Sequence, residues 1–395
     1  MNDKYKILTT VSIYHALNDG AISVVPLLFP IFKDIYNLNY TQIGFITSIS
    51  LFIHLIAQLY IGRISDGKNF RTLLSFGILL ISISLLILIE TKDFITLLIF
   101  LIFLRISVSF FHPIGVGWIS RTFKKERIDW AMGIQSGSAD LGAFIALLTT
   151  LYITDIKGWQ FPLYIWSFFA ALVVIIGIFM TRNLDENFLI VKKTYKKQKI
   201  SEKIQDGILL LKKIKFLIPA FALSGSAWGI IVTYLPLFLN EKTNLSLQYI
   251  GYIAAVWIGI GCIISFLYHR FKTFIGRKNI IIMSYFIIGV SCLFLSITIN
   301  VFIILLIMFL LGFSVFLTYP ALSSFISEVT DETLEGSTFG IVFTLQLGGG
   351  TILLFLGGFL SDIYEIWMPF VILGIPSLLY SILLLFNHKK QFALR

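Results

Sequence analysis

Charge is the scarcest commodity in this chain. Only 13% of its 395 residues are Asp, Glu, Lys or Arg, whereas 57% are hydrophobic and the mean hydropathy is +0.90. That composition excludes an ordinary soluble domain. Cysteine is nearly absent, and the two present, Cys262 and Cys292, both fall inside apolar runs. A disulfide framework and a thiolate metal site are therefore not expected, and both residues read as small packing groups. There is no glycine-rich nucleotide loop, no metal-ligand spacing and no nucleophile–base pair outside the apolar runs, which argues against an enzyme and against any cofactor or metal. A cleavable leader is not expected either, because the first apolar run continues past its polar centre without a small-residue cleavage site.

What the chain has is long apolar runs. A helix crosses about 30 Å of hydrocarbon with about 20 apolar residues, so at about 33 residues per span and loop the length accommodates about twelve spans. The runs place them at about 7–32, 40–63, 71–91, 94–121, 129–153, 160–182, 214–240, 246–270, 279–299, 301–326, 335–360 and 367–387. The one long polar stretch, rich in lysine, divides an N-terminal six-helix half (1–182) from a C-terminal one (214–395), with a cytoplasmic linker at 183–213.

Basic residues set the orientation. With both termini in the cytoplasm, 26 of the 31 Lys and Arg residues lie on cytoplasmic segments; four (Lys33, Lys92, Lys157, Lys242) lie on outer loops and Arg105 lies within a span. This split satisfies the positive-inside rule. The net charge of +10 is thus a topology signal, with some attraction to anionic lipid, and not a nucleic-acid footprint.

The chain also repeats. Asn37–Ile46 resembles Asn244–Ile253, and the same offset of 207 carries Leu104 to Leu311, Pro113 to Pro320, Gly133 to Gly340 and Gly142 to Gly349. Each half holds an even number of spans, so the repeats run parallel about an axis along the membrane normal, the arrangement of major facilitator transporters.

A few polar residues interrupt the spans. His15, Asp19, His54, Arg105, His112 and Asp140 fall in one layer roughly 12 Å thick near mid-membrane at about 1.5 Å rise per residue. His15 and Asp19 are one turn apart, and Arg105 and His112 are about two turns apart, so each pair is expected to share a helix face. An intramembrane arginine needs a partner. One acid can neutralise Arg105, leaving the other as a proton-loadable group beside an imidazole. The proton-coupling candidates are Asp19, His15, Arg105, His112 and Asp140; buried structural pairing is the alternative for each, and is favoured for His54. The second half has no counterpart to this layer, and offers Trp228, Tyr234, Trp257, Thr318, Tyr319 and Gln346 as an aromatic, weakly polar wall for substrate, or simply as packing.

The loop Gly62-Arg63-Ile64-Ser65-Asp66-Gly67-Lys68-Asn69-Phe70-Arg71 resembles the glycine–aspartate–basic loop signature of the major facilitator superfamily. Within that superfamily the chain resembles the fosmidomycin-resistance-like drug exporters, through His15–Gly20, Pro26–Pro30, Gln42–Thr47, Phe111-His112-Pro113 and Gly133–Gly137. The resemblance implies an all-α fold of twelve transmembrane helices in two parallel repeats, with spans 1, 4, 7 and 10 lining a central cavity. It implies an ion-driven secondary transporter in the cell membrane, exporting small amphiphilic or anionic compounds against protons as a monomer. An uptake permease for an organic anion is the rival, and a membrane scaffold a remote third. A cytoplasmic gate is expected at Gly62, Asp66 and Arg71, and between the basic Arg121, Lys124 and Lys125 and their acidic repeat partners Glu328, Asp331 and Glu332.

Overall fold

In a computed structural model the chain is helical almost throughout. It describes residues 2–65, 67–190, 207–212, 214–329 and 335–386, without side chains at 125, 186, 327–329 and 335–340. The expected linker 183–213 lies largely outside this set. Among the described residues eleven helices are long and apolar enough to cross a membrane: Tyr40–Ile64, Phe70–Ile89, Phe94–Thr122, Glu126–Lys157, Gln160–Thr181, Ile218–Lys242, Leu247–Ile275, Arg277–Ile297, Val301–Ile326, Ile341–Ile363 and Met368–Phe386. The pair Asp3–Leu27 and Phe29–Ile35, bent by 42°, makes the twelfth. Numbered in chain order with the bent pair first, these are spans 1 to 12.

Local chemistry explains the breaks. Pro26 sits inside the first helix and Pro30 opens the second, and a proline removes an N–H and clashes with the preceding turn. Span 4 regularly follows an α-path only to Val108; His112–Val116, which contains Pro113, winds as a π-turn before Gly117–Thr122 resumes. The helix thus changes pitch between Arg105 and His112, so the expected two regular turns between them do not exist. Span 5 ends at Gly158, whose φ of 91° suits a residue without a Cβ.

By contacts the chain forms two compact units, the first being Met1–Leu38, Ile49–Thr194 and Leu245–Ala255, the second Asn39–Ser48, Tyr195–Asn244 and Val256–Arg395. In the first, spans 1 and 5 touch backbone to backbone: a Cβ at Gly142 would overlap the carbonyl of Ala16. In the second, spans 7 and 11 do the same, with Gly349 against Ala222 and Gly225 against the carbonyl of Gln346. Small residues permit such approach where lipid supplies no hydrophobic drive for helix association. The second unit also takes in the start of span 2, where the Asp362 carboxylate accepts from the Tyr40 and Thr41 N–H groups at 2.9 and 2.7 Å. This caps a helix whose first N–H groups have no partner of their own.

Candidate functional site

His15 on span 1 anchors the polar cluster of the first unit. It is 5% exposed, and its ring stacks on Phe111 at 4.0 Å between centroids and meets His112 edge-on at 5.4 Å. Nδ1 lies 2.9 Å from the backbone carbonyl of Gln135 on span 5. A carbonyl only accepts, so Nδ1 carries the proton of the neutral ring and Nε2 presents a bare lone pair. Among the described residues that Nε2 has no hydrogen-bond partner, and it lies 3.7 Å from Asp19 Oδ2. In that neutral form an acceptor faces an acceptor. The other Asp19 oxygen accepts from the Asn18 amide at 2.9 Å. The ligand atoms of His15, Asp19 and His112 all lie within 4.8 Å of one another.

The neighbouring residues divide between structure and chemistry. His54 Nδ1 is 2.8 Å from Ser109 Oγ and 3.2 Å from the Arg105 carbonyl, a contact that ties span 2 to the irregular end of span 4. Arg105 was expected to pair with an acid. Among the described residues no carboxylate lies within 4 Å of its guanidinium, and Asp19 faces His15 instead. Asp140 is half-buried on span 5, likewise without an ion pair there.

In the second unit, Trp228, Trp257 and Phe316 form an aromatic cluster, with Trp228 5.0 Å from Trp257 and 5.8 Å from Phe316 between centroids. Trp228 and Tyr319 are half-buried, and the Tyr319 hydroxyl donates to the Ser224 carbonyl at 3.3 Å. Gln346 donates to the Ser224 hydroxyl at 3.4 Å. Tyr234, Trp257 and Thr318, expected in the same wall, are fully buried. Tyr234 donates to the Leu354 carbonyl at 2.5 Å and fills the space beside Gly357 and Gly358; Thr318 bonds back to Val315. The Trp257 indole N–H is buried without an acceptor among the described residues.

Two stretches, 11–353 and 264–392, match the profile of the Major Facilitator Superfamily. The chain belongs to this superfamily. The proton-coupled antiporter flippase LtaA of Staphylococcus haemolyticus is 25% identical over 357 residues, 84% of each chain. LtaA of Staphylococcus aureus is 26% identical over 331 residues, 80% of this chain and 79% of that one. The MFS-type transporter YfnC of Bacillus subtilis is 28% identical over 180 residues, 45% of this chain and 43% of that one. Among solved structures, the nucleoside transporter NupG superimposes with a TM-score of 0.76 at 15% identity, covering 98% of this chain and 100% of that one. A bacterial homologue of the human lysosomal transporter Spinster, inward-facing and unoccupied, gives 0.72 at 14%, covering 98% and 95%. These two share the superfamily fold, and the chain is a multi-pass membrane transporter.

The superfamily loop after span 2 is partly visible. A Cβ at Gly62 would lie 3.4 Å from Pro113 Cβ, so this helix end runs against the π-turn of span 4. Arg71 donates to the carbonyls of Thr181 and Arg182 at 2.9 and 3.4 Å. It thereby caps the end of span 6 within its own unit. Arg121 packs over the Phe70 ring at 5.3 Å and Lys124 is exposed. Asp66, Asp331 and Glu332, and the side chains of Lys125 and Glu328, lie outside the described residues. The parts played by the Gln135 carbonyl and by Asp362 were not legible in the sequence, because a backbone carbonyl and a helix-capping acid leave no spacing signal.

Proposed function

We propose that this transporter is a proton-coupled antiporter of the cell membrane, exporting small amphiphilic or anionic compounds by alternating access, with both termini in the cytoplasm. The observation that carries the reading is His15 Nε2, without a hydrogen-bond partner among the described residues, 3.7 Å from the Asp19 carboxylate. Two acceptors held together in an apolar layer repel unless a cation intervenes, and a proton is the smallest. The Gln135 carbonyl holds the imidazole in the tautomer that receives it. Loading changes the local charge by one unit, which is enough to bias a two-state protein whose conformers bind the proton unequally.

Substrate is assigned to the aromatic cluster of the second unit. Trp228 and Tyr319 offer apolar faces with polar edges, Gln346 a side-chain amide, and buried Trp257, Tyr234 and Thr318 back them. An amphiphile suits such a lining. The antiporter flippases among the relatives, and the resemblance of His15–Gly20 and Phe111–Pro113 to fosmidomycin-resistance-like exporters, support export against protons. One observation favours the rival uptake of an organic anion: Arg105 keeps a guanidinium without a carboxylate partner among the described residues, as an anion site requires.

The test is transport in proteoliposomes with an imposed pH gradient and a panel of amphiphilic and anionic candidates. Antiport predicts substrate movement opposite to protons, abolished in Asp19→Asn while detergent-solubilised protein stays monodisperse. Substrate and protons moving together would establish the permease, and Asp19→Asn transporting at the normal rate with normal pH dependence would sink the coupling assignment.

A further inference from the structure

We infer that His15, Asp19 and His112 form a binding site for a divalent late transition-metal ion, of the Zn2+, Co2+ or Ni2+ class. The inference stands on geometry within the first unit and does not depend on the direction or substrate of transport. Three ligand atoms, two imidazole nitrogens and one carboxylate oxygen, lie within 4.8 Å of one another. Around Zn2+ with bonds of about 2.0–2.1 Å in a tetrahedron, ligand atoms stand about 3.3 Å apart. The His15–Asp19 separation of 3.7 Å is already close to that. The remaining contraction is within reach of Asp19 and His112, which are only half-buried. His15 provides the fixed point, stacked on Phe111 and buried.

The surroundings carry the features that a metal site needs. A ligating histidine donates its second nitrogen to a carbonyl or carboxylate, which fixes tautomer and ring orientation. His15 Nδ1 does this to the Gln135 carbonyl, and the opposite nitrogen is left unpartnered and aimed at Asp19. The ligating carboxylate is itself held, by the Asn18 amide at 2.9 Å. Donor type sets the class of ion. Mg2+ and Ca2+ demand six or more oxygens, whereas imidazole suits Zn2+, Co2+, Ni2+ and Cu2+. Three protein ligands leave a fourth position for water or a substrate atom. The chain order hides the site, because His112 is supplied by span 4 at the π-turn and not by a local motif.

The experiment is titration of the purified full-length protein, free of any polyhistidine tag, with Co2+, followed by its visible d–d absorption and by isothermal calorimetry. One equivalent should bind with tetrahedral-type bands, and Zn2+ should displace it. Asp19→Asn and His112→Gln, both at half-buried positions, should each weaken binding at least tenfold, while His269→Ala, at an exposed histidine outside the cluster, should leave it unchanged. Each variant is first checked for a monodisperse profile. Absence of saturable binding in the wild type, equal binding in Asp19→Asn and His112→Gln, or loss in His269→Ala would each overturn the assignment. A protein that binds one Co2+ but moves no protons would retain this site and lose the antiport reading, so the two fail separately.

Discussion

Gly348 and Gly349 are neighbours on span 11, and they should answer the same substitution in opposite ways. At Gly348 a Cβ meets nothing within 4 Å; at Gly349 it lands 2.5 Å from the Cα of Ala222 and 2.8 Å from its carbonyl oxygen on span 7. An alanine gains about 1 kcal/mol over glycine in a helix interior, and that gain is available at both positions. At Gly349 it is opposed by overpacking against backbone, which costs about 1–3 kcal/mol because a main chain cannot step aside as a flexible side chain can. The net expectation is a gain of up to about 1 kcal/mol for Gly348→Ala and a loss of up to about 2 kcal/mol for Gly349→Ala. With a melting-temperature shift of about 2–4 °C per kcal/mol, the two variants should separate by several degrees. The assay is thermal unfolding of detergent-solubilised protein, read by the monodisperse fraction on size exclusion after heating. The first unit supplies an independent replicate, since Gly133 is open and Gly142 abuts Ala16. Equal shifts within each pair would show that the backbone contacts do not hold these helices together, and would remove the packing argument for both units.

Other outcomes follow from the same geometry. Trp228→Ala and Tyr319→Ala should weaken substrate binding more than they alter its pH dependence, and substitutions at His15 and His112 should do the reverse; binding titrations across pH distinguish them. Asp362→Ala removes the acceptor of two first-turn N–H groups of span 2 and should cost about 0.5–2 kcal/mol, measured by thermal unfolding, with Asp362→Asn recovering much of it.

Much of the fold was legible because its signals are dense. Runs of about 20 apolar residues need no three-dimensional knowledge, and the 207-residue offset aligned Gly142 with Gly349, which make similar backbone contacts in their units. The site was legible only in composition. His15 and Asp19 lie one helical turn apart and could be paired by counting. His112 could not be placed this way, because the helix breaks into a turn at Ser109 and Phe110, ahead of Pro113, between it and Arg105. The supposed partner of Arg105 failed for a related reason: charge balance says that an arginine wants an acid, but not which of two acids a kinked helix brings near. On the aromatic side, hydropathy does not separate a ring that packs from a ring that waits. Tyr234 is spent on the Leu354 carbonyl, whereas Trp228 retains an open face.

The repeat conserves scaffold and discards chemistry, and the packing shows why the discarded chemistry is confined to one half. The position equivalent to Arg105 is Gly312, where a Cβ would overlap the Trp257 carbonyl and crowd Ile260. No side chain fits there, so an arginine in the second half would force spans 8 and 10 apart. With the prolines Pro26 and Pro236 superposed, Asp19 corresponds to Gly229, where a Cβ would press on the Leu354 side chain at 2.9 Å. The counterpart of His112 is Tyr319, whose hydroxyl is engaged by Ser224. Backbone contact thus bars an arginine at Gly312, and beside it stands the Trp228–Trp257–Phe316 cluster. Ions and amphiphiles need opposite environments, one rich in lone pairs and one rich in apolar faces. On the proposed antiport, giving each ligand its own half means that a change in the charge of the first cluster leaves the lining of the second chemically unaltered. The two would then be coupled through the equilibrium between conformers, to which each ligand contributes only its own difference in binding free energy.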